Sequence, residues 1–124
     1  MSTTDIDPER MQKYIQTARQ RAQAEKVSLD KRYDQAWQVA QQAAQLLKSE
    51  FGVSRVVLFG SCLVRSRIHS RSDIDLAVWD MNEQLYFKAV ARLQDLDPSF
   101  DLDLVEFHNA YPYIQAAIEQ GVDL

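Results

Sequence analysis

Two short apolar runs, and the residues that punctuate them, limit what this chain can fold into. Val56-Val57-Leu58-Phe59 is closed by Gly60-Ser61, and Leu76-Ala77-Val78-Trp79 is opened by Asp73-Ile74-Asp75. Their short length and β-branched and aromatic content predict two strands rather than two helices. On a strand, side chains at i and i+2 leave the same face, so Asp73 and Asp75 project together while Ile74 points to the core. Side-by-side carboxylates repel, and burying them unpaired costs on the order of several kcal/mol per ion. A cation resolves that conflict, and hard oxygen donors in this pattern suit Mg²⁺, which is commonly held by one or two carboxylates plus substrate phosphates. Gly60 lets the backbone turn tightly after its strand, and Ser61 can begin a helix whose free N–H groups face an anion. A phosphate cradle and a metal-holding acid pair on neighbouring strands predict a nucleotide site.

Gly60-Ser61, eleven intervening residues and then Asp73-x-Asp75 resembles the signature of the nucleotidyltransferase superfamily related to DNA polymerase β. The small size and the LFGS…SDIDLAV wording are similar to its minimal nucleotidyltransferase (MNT) branch, whose members are often encoded beside HEPN proteins as toxin–antitoxin pairs. The resemblance runs from about Ser54 to Phe107. It implies an α+β fold with a small mixed sheet flanked by helices, and a third acid on the following strand. Asp103, within Asp103-Leu104-Val105-Glu106, matches that acid, with Asp101 on the same face as the fallback. The implied site is Asp73, Asp75 and Asp103 as catalytic and metal-binding residues, with Gly60 and Ser61 on the nucleotide. Two Mg²⁺ ions would serve, with ATP as substrate. In one departure, related enzymes follow Gly-Ser with a small residue, Arg and Gly, whereas this chain has Cys62-Leu63-Val64-Arg65-Ser66. The Gly is missing and the Arg stands later in the loop, which alters the loop that meets phosphate.

Charge is distributed unevenly. Residues 1–72 carry 12 Lys+Arg against 7 Asp+Glu, whereas residues 73–124 carry 2 against 11. Arg55, Arg65, Arg67 and Arg71 therefore stand before the carboxylates with no acid among them. That order suits cations near a triphosphate and acids near metal, although solvated loops would read the same way. The chain as a whole is acidic, at −4, and lacks aromatic-basic interleaving, so general nucleic-acid binding is not expected. No run of 18 apolar residues exists to span a membrane, and MSTTDIDPER lacks the basic and apolar regions of a signal peptide. With Cys62 as the only cysteine, an internal disulfide is excluded and a cytoplasmic location is expected. Cys62 reads as a small packing residue, His69 as a solvated loop residue and His108 as a cap or surface residue.

At 124 residues the chain can build one core, divided here into a helical extension at 1–52 packed on a nucleotidyltransferase core at 53–124. The extension reads as two helices. The first runs from about 8 to 25, with Pro8 in its opening turn and Met11, Tyr14, Ile15, Ala18 and Ala22 as its stripe. The second runs from Ser28 as N-cap to about Glu50, with Gly52 as its stop and Trp37 in its apolar face. The two would pair as an antiparallel hairpin, or the first would serve as a homodimer contact. After the central strands, Asp80 or Asn82 caps a helix at about 83–95. Period-two alternation from Phe100 to Phe107 predicts a third strand. Asn109 caps a final helix that ends before Gly121.

The resemblance implies an enzyme that moves AMP from ATP to a protein hydroxyl, a tyrosine of a cognate HEPN ribonuclease, so that the chain acts as an antitoxin. The alternatives are transfer to a small hydroxylated molecule such as an aminoglycoside, and an inactive binding module that neutralises its partner by contact. Three converging acids count against the last, because a pure binder has no need of them.

Overall fold

A computed structural model describes residues 7–124. Its longest element is α1, Pro8–Phe51, a single helix of 44 residues. The two expected helices are therefore one, and the expected hairpin does not form. Ser28 sits inside α1, because the residues between Pro8 and Gly52 contain neither glycine nor proline and are rich in Ala, Gln, Lys, Arg and Glu. A capping residue with no breaker before it does not end a helix made of strong helix formers. The ends are specified locally. The Asp7 carboxylate accepts from Glu9 N at 3.0 Å with Pro8 beside it. Gly52, at φ 67°, closes the other end with its N–H on Leu47 O.

Strands follow as β1, Arg55–Phe59, and β2, Ile74–Trp79, joined through two single 3₁₀ turns at Ser61–Leu63 and Arg65–Arg67. A further 3₁₀ turn, capped by Asn82, leads into α2, Tyr86–Gln94. Then come β3, Leu102–Glu106, the helix α3, Pro112–Glu119, and a two-residue strand β4, Val122–Asp123. The sheet order is β3-β2-β1-β4, with β1 antiparallel to both neighbours and β2 parallel to β3. This α+β arrangement of a small mixed sheet flanked by helices agrees with the expected fold class. Two details differ from the sequence reading. The final helix takes its N-cap from Tyr111 with Pro112 behind it, while Asn109 closes a 3₁₀ turn against Glu106. β4 was not foreseen.

Strand alternation divides the molecule into two unequal faces. Val56 and Leu58 of β1, Ile74, Leu76 and Val78 of β2, and Leu102 and Leu104 of β3 all turn to one side. There they meet the later half of α1 (Ala36, Val39, Ala40, Ala43, Leu47) and Ala89 and Leu93 of α2, forming the main core. The other face carries only a small cluster, Val57, Phe59, Ala77 and Ile118, under α3. The early part of α1 does neither job: residues 8–28 are exposed along their length, and burial begins at Leu29. At about 1.5 Å per residue, that free stretch is about 30 Å long. No helix among the described residues is long and apolar enough to cross a membrane.

Candidate active site

The thinly covered face is where the acids emerge. Asp75 and Asp103 are direct partners across the parallel β2–β3 pair, so the register itself sets their carboxylates side by side. Asp75 also faces Phe59, the last residue of β1, and Gly60 follows immediately. Gly60 adopts φ 84°, ψ −155°, a conformation that residues with a side chain rarely enter. It is required for a second reason: a Cβ at position 60 would overlap Asp75 Oδ2 and lie 3.3 Å from its Cγ. The glycine thus turns the chain and leaves room for the half-buried carboxylate.

Electrostatics mark the same place. Burial, followed by the charges of Asp103 and Asp73, pushes the Asp75 carboxyl up to about 6. Among the described residues the ion pairs engage Arg55, Arg65 and Arg92, and none reaches Asp73, Asp75 or Asp103. Hard oxygen donors that repel one another and enter no ion pair among the described residues fit a divalent cation such as Mg²⁺. The fit is incomplete at one ligand. No three His, Cys, Asp or Glu groups among the described residues stand close enough to hold an ion together. Asp73, just before β2, instead lines a small groove of about 280 Å³ with Arg32, Arg71, Ser99 and Asp101. Asp75 and Asp103 open onto a larger cavity of about 550 Å³, walled by Phe59, Tyr113, Ile114 and Ala117. That volume lies in the usual range of small-ligand sites.

The loop between the strands differs from its sequence reading. Ser61 opens a single 3₁₀ turn, not a helix, so any anion would meet the turn's own N–H groups and the Ser61 hydroxyl without a helix dipole. Arg65 is turned away from the acids. Its guanidinium bonds Asp30 at 2.9 Å and Asp34 at 3.4 Å and lies 4.3 Å from the Tyr33 ring centroid. Arg55, at the other end of β1, pairs with Asp123 and lies over Trp79. Of the four arginines that precede the carboxylates, only Arg67 and Arg71 enter no ion pair among the described residues.

Cys62 packs as expected. It is buried, its thiol donates to Asp73 O at 3.1 Å, and burial pushes its pKa up, away from the reactive range. His69 shapes the loop: its Nδ1 accepts from Arg71 N at 3.2 Å and its own N–H donates to Ser72 Oγ at 2.9 Å. Trp37, half-buried, donates to Cys62 O at 3.0 Å and so holds the Gly60-Ser61 turn against α1. The sequence reading does not single out Tyr113, which lies in the first turn of α3, is 73% exposed and borders the carboxylate cavity. The Tyr111-Pro112-Tyr113 wording was the only available signal, with both rings flanking the helix start.

Residues 41–124 match the family model described as polymerase beta nucleotidyltransferase. The chain belongs to that family. No curated protein matches it in sequence. Two solved structures share its fold. A toxin–antitoxin crystal structure with AMP-PNP aligns at TM-score 0.53 and 24% identity, covering 64% of this chain and 66% of that one. A mutant of the toxin–antitoxin MntA-HpeT aligns at TM-score 0.54 and 22% identity, covering 68% of this chain and 70% of that one.

Proposed function

We propose that this protein transfers AMP from ATP to a hydroxyl of a partner protein and is the antitoxin of a toxin–antitoxin pair. The observation that carries the reading is the Asp75–Asp103 pair, set side by side by parallel register and facing the Gly60 turn. The family supplies the reaction class, and the two toxin–antitoxin structures of like fold support the biological role. The acceptor that best fits this role is a tyrosine of a HEPN-type ribonuclease.

Asp73 and Asp75 would hold one Mg²⁺ and Asp103 would share a second. Metal held there would supply positive charge to offset the acids and the triphosphate and to stabilise charge at the α-phosphorus. The chain's own residues do the rest. The Gly60-Ser61 turn offers N–H groups and a hydroxyl to the β- and γ-phosphates, while the wall formed by Phe59 and Tyr113 confines the nucleotide above the acids. The acceptor oxygen bonds to the α-phosphorus, the bond to the bridging oxygen breaks, and pyrophosphate leaves. Asp103 accepts the hydroxyl proton. Position and electrostatics carry such a reaction, with no covalent enzyme intermediate.

The deciding experiment incubates the chain with its genomic-neighbour protein, ATP and Mg²⁺ and reads the partner's intact mass. The expected result is added AMP, absent when Asp73→Asn and Asp75→Asn are combined in a variant that still folds. Transfer at the parent rate by that variant would refute the site. Neutralisation of the partner without added mass would refute the enzymatic role.

A further inference from the structure

The segment of α1 that reaches the acids lies ahead of the family match, which begins at residue 41. One residue there stands out. Arg32 donates through Nη2 to Ser72 O at 3.1 Å and through Nη1 to Ser99 O at 3.2 Å. Its guanidinium also lies 4.3 Å from the Phe100 ring centroid. The two carbonyls belong to different loops: Ser72 immediately precedes Asp73, and Ser99 lies two residues before Asp101 on the approach to β3. Ser72 is buried, and its hydroxyl already takes the His69 N–H, so the loop is held from both sides. Arg32 Nε is the one buried side-chain nitrogen or oxygen without a hydrogen-bond partner among the described residues. A guanidinium accepts that cost when the rest of its fork is anchored, and here the anchors are two backbone carbonyls on the loops that deliver the acids.

We propose that Arg32 is a positioning residue, a brace from α1 that fixes the spacing of the loop bearing Asp73 to the strand bearing Asp103. In this role it acts on the backbone, through Ser72 and Ser99, and through the Phe100 ring that precedes β3. The next link in line is the Ile74 N–H, which donates to Asp101 O at 2.9 Å and begins the β2–β3 pairing. If the brace is lost, that end of the pair opens first, and Asp73 loses its set distance from Asp103. A lysine does not substitute, because its compact ammonium lacks the rigid planar fork that bonds two carbonyls while lying over the Phe100 ring.

The consequence for transfer rests on the nucleotidyltransferase reading, so the test begins with a readout that does not. Hydrogen exchange is measured on the full chain carrying Arg32→Ala or Arg32→Lys, with Arg92→Ala, which removes a surface pair with Glu50, as control. The expected result is a loss of Ile74 amide protection on the order of tenfold or more, with the β1 amides of Val57 and Leu58 unchanged. An equal loss at Ile74, Val57 and Leu58 would overturn the proposal, because it would make Arg32 an ordinary fold contact. Parent-like protection in both variants would overturn it equally. In the transfer assay, Arg32→Ala should lower kcat more than it raises the KM for ATP, millimolar guanidinium should restore part of the rate, and Arg32→Lys should not rescue. If the parent chain transfers nothing, the exchange result still decides the role of Arg32, and only the enzymatic reading fails.

Discussion

Alternate residues of β2 do opposite work. Ile74 and Leu76 are fully buried in the main core with α1 and α2, where the gain comes from removing apolar surface from water. Asp75, between them, leaves the other face and meets Asp103 beneath a light covering from α3. One face stabilises the fold and the other carries charge that the bare protein holds at a cost. A pleated strand allows this separation because a shift of one residue reverses the face, so burial on one side pins the acids on the other. In this molecule stability and chemistry are segregated by backbone geometry rather than by distance along the chain.

The largest test of that contrast lies on the packed face. Leu76→Ala should cost about 2–5 kcal/mol, as expected for a fully buried leucine in a tight core. Urea unfolding at neutral pH measures it. A loss below about 1 kcal/mol would mean that the packed face is looser than its burial indicates, and the contrast between the faces would break.

The opposite sign is expected on the other face. The Asp75 carboxyl ordinarily titrates at 3.8 and is pushed up to about 6 in the folded chain by burial and by Asp103 and Asp73. The folded state therefore binds this proton more tightly than the unfolded state does. The stability it confers is complete below 3.8 and is lost as pH rises through about 6. Asp75→Asn removes the liability. After discounting for its partial exposure to solvent, the variant should exceed the parent by about 1–2 kcal/mol at pH 7.5 without metal, and the gap should narrow towards pH 4. Saturating Mg²⁺ should stabilise the parent and not the variant. A variant less stable than the parent at pH 7.5 would mean that the carboxylate is structural.

Those two positions were readable from sequence because the signal is local. Two apolar runs fix the strands, period two fixes the faces, and Gly60 fixes the turn that the Asp75 carboxylate crowds. What escaped was decided by partners distant in sequence. Ser28 has the chemistry of a cap, but no breaker stands before it, and α1 runs on. Arg65 lies beside the site in sequence, yet its bonds go to Asp30 and Asp34, more than thirty residues earlier on α1. Arg32 carries no local mark at all, since the carbonyls it holds belong to Ser72 and Ser99. β4 has two residues, too few for any period, and exists because β1 offers it an edge.

The smallest effect expected on the charged face sharpens the contrast most finely. Asp101 and Asp103 share a strand face by alternation, and both are exposed. Only Asp103 stands in register with Asp75; the tie from Asp101 to β2 is made by its carbonyl, which accepts from Ile74 N. An Asn at 101 keeps that carbonyl and removes a charge that faces Arg32 and Arg71 across the small groove. Asp101→Asn should therefore shift stability by no more than about 0.5 kcal/mol, the usual scale for a surface change, and leave transfer within about threefold of the parent. Asp103→Asn, in the same assay, should lose on the order of a hundredfold or more, because it removes both an oxygen donor for metal and the proton acceptor. The pair of variants separates register from mere presence on a face. If Asp101→Asn silences transfer while Asp103→Asn spares it, the third acid of the site is Asp101, and side-by-side pairing with Asp75 is not what places it.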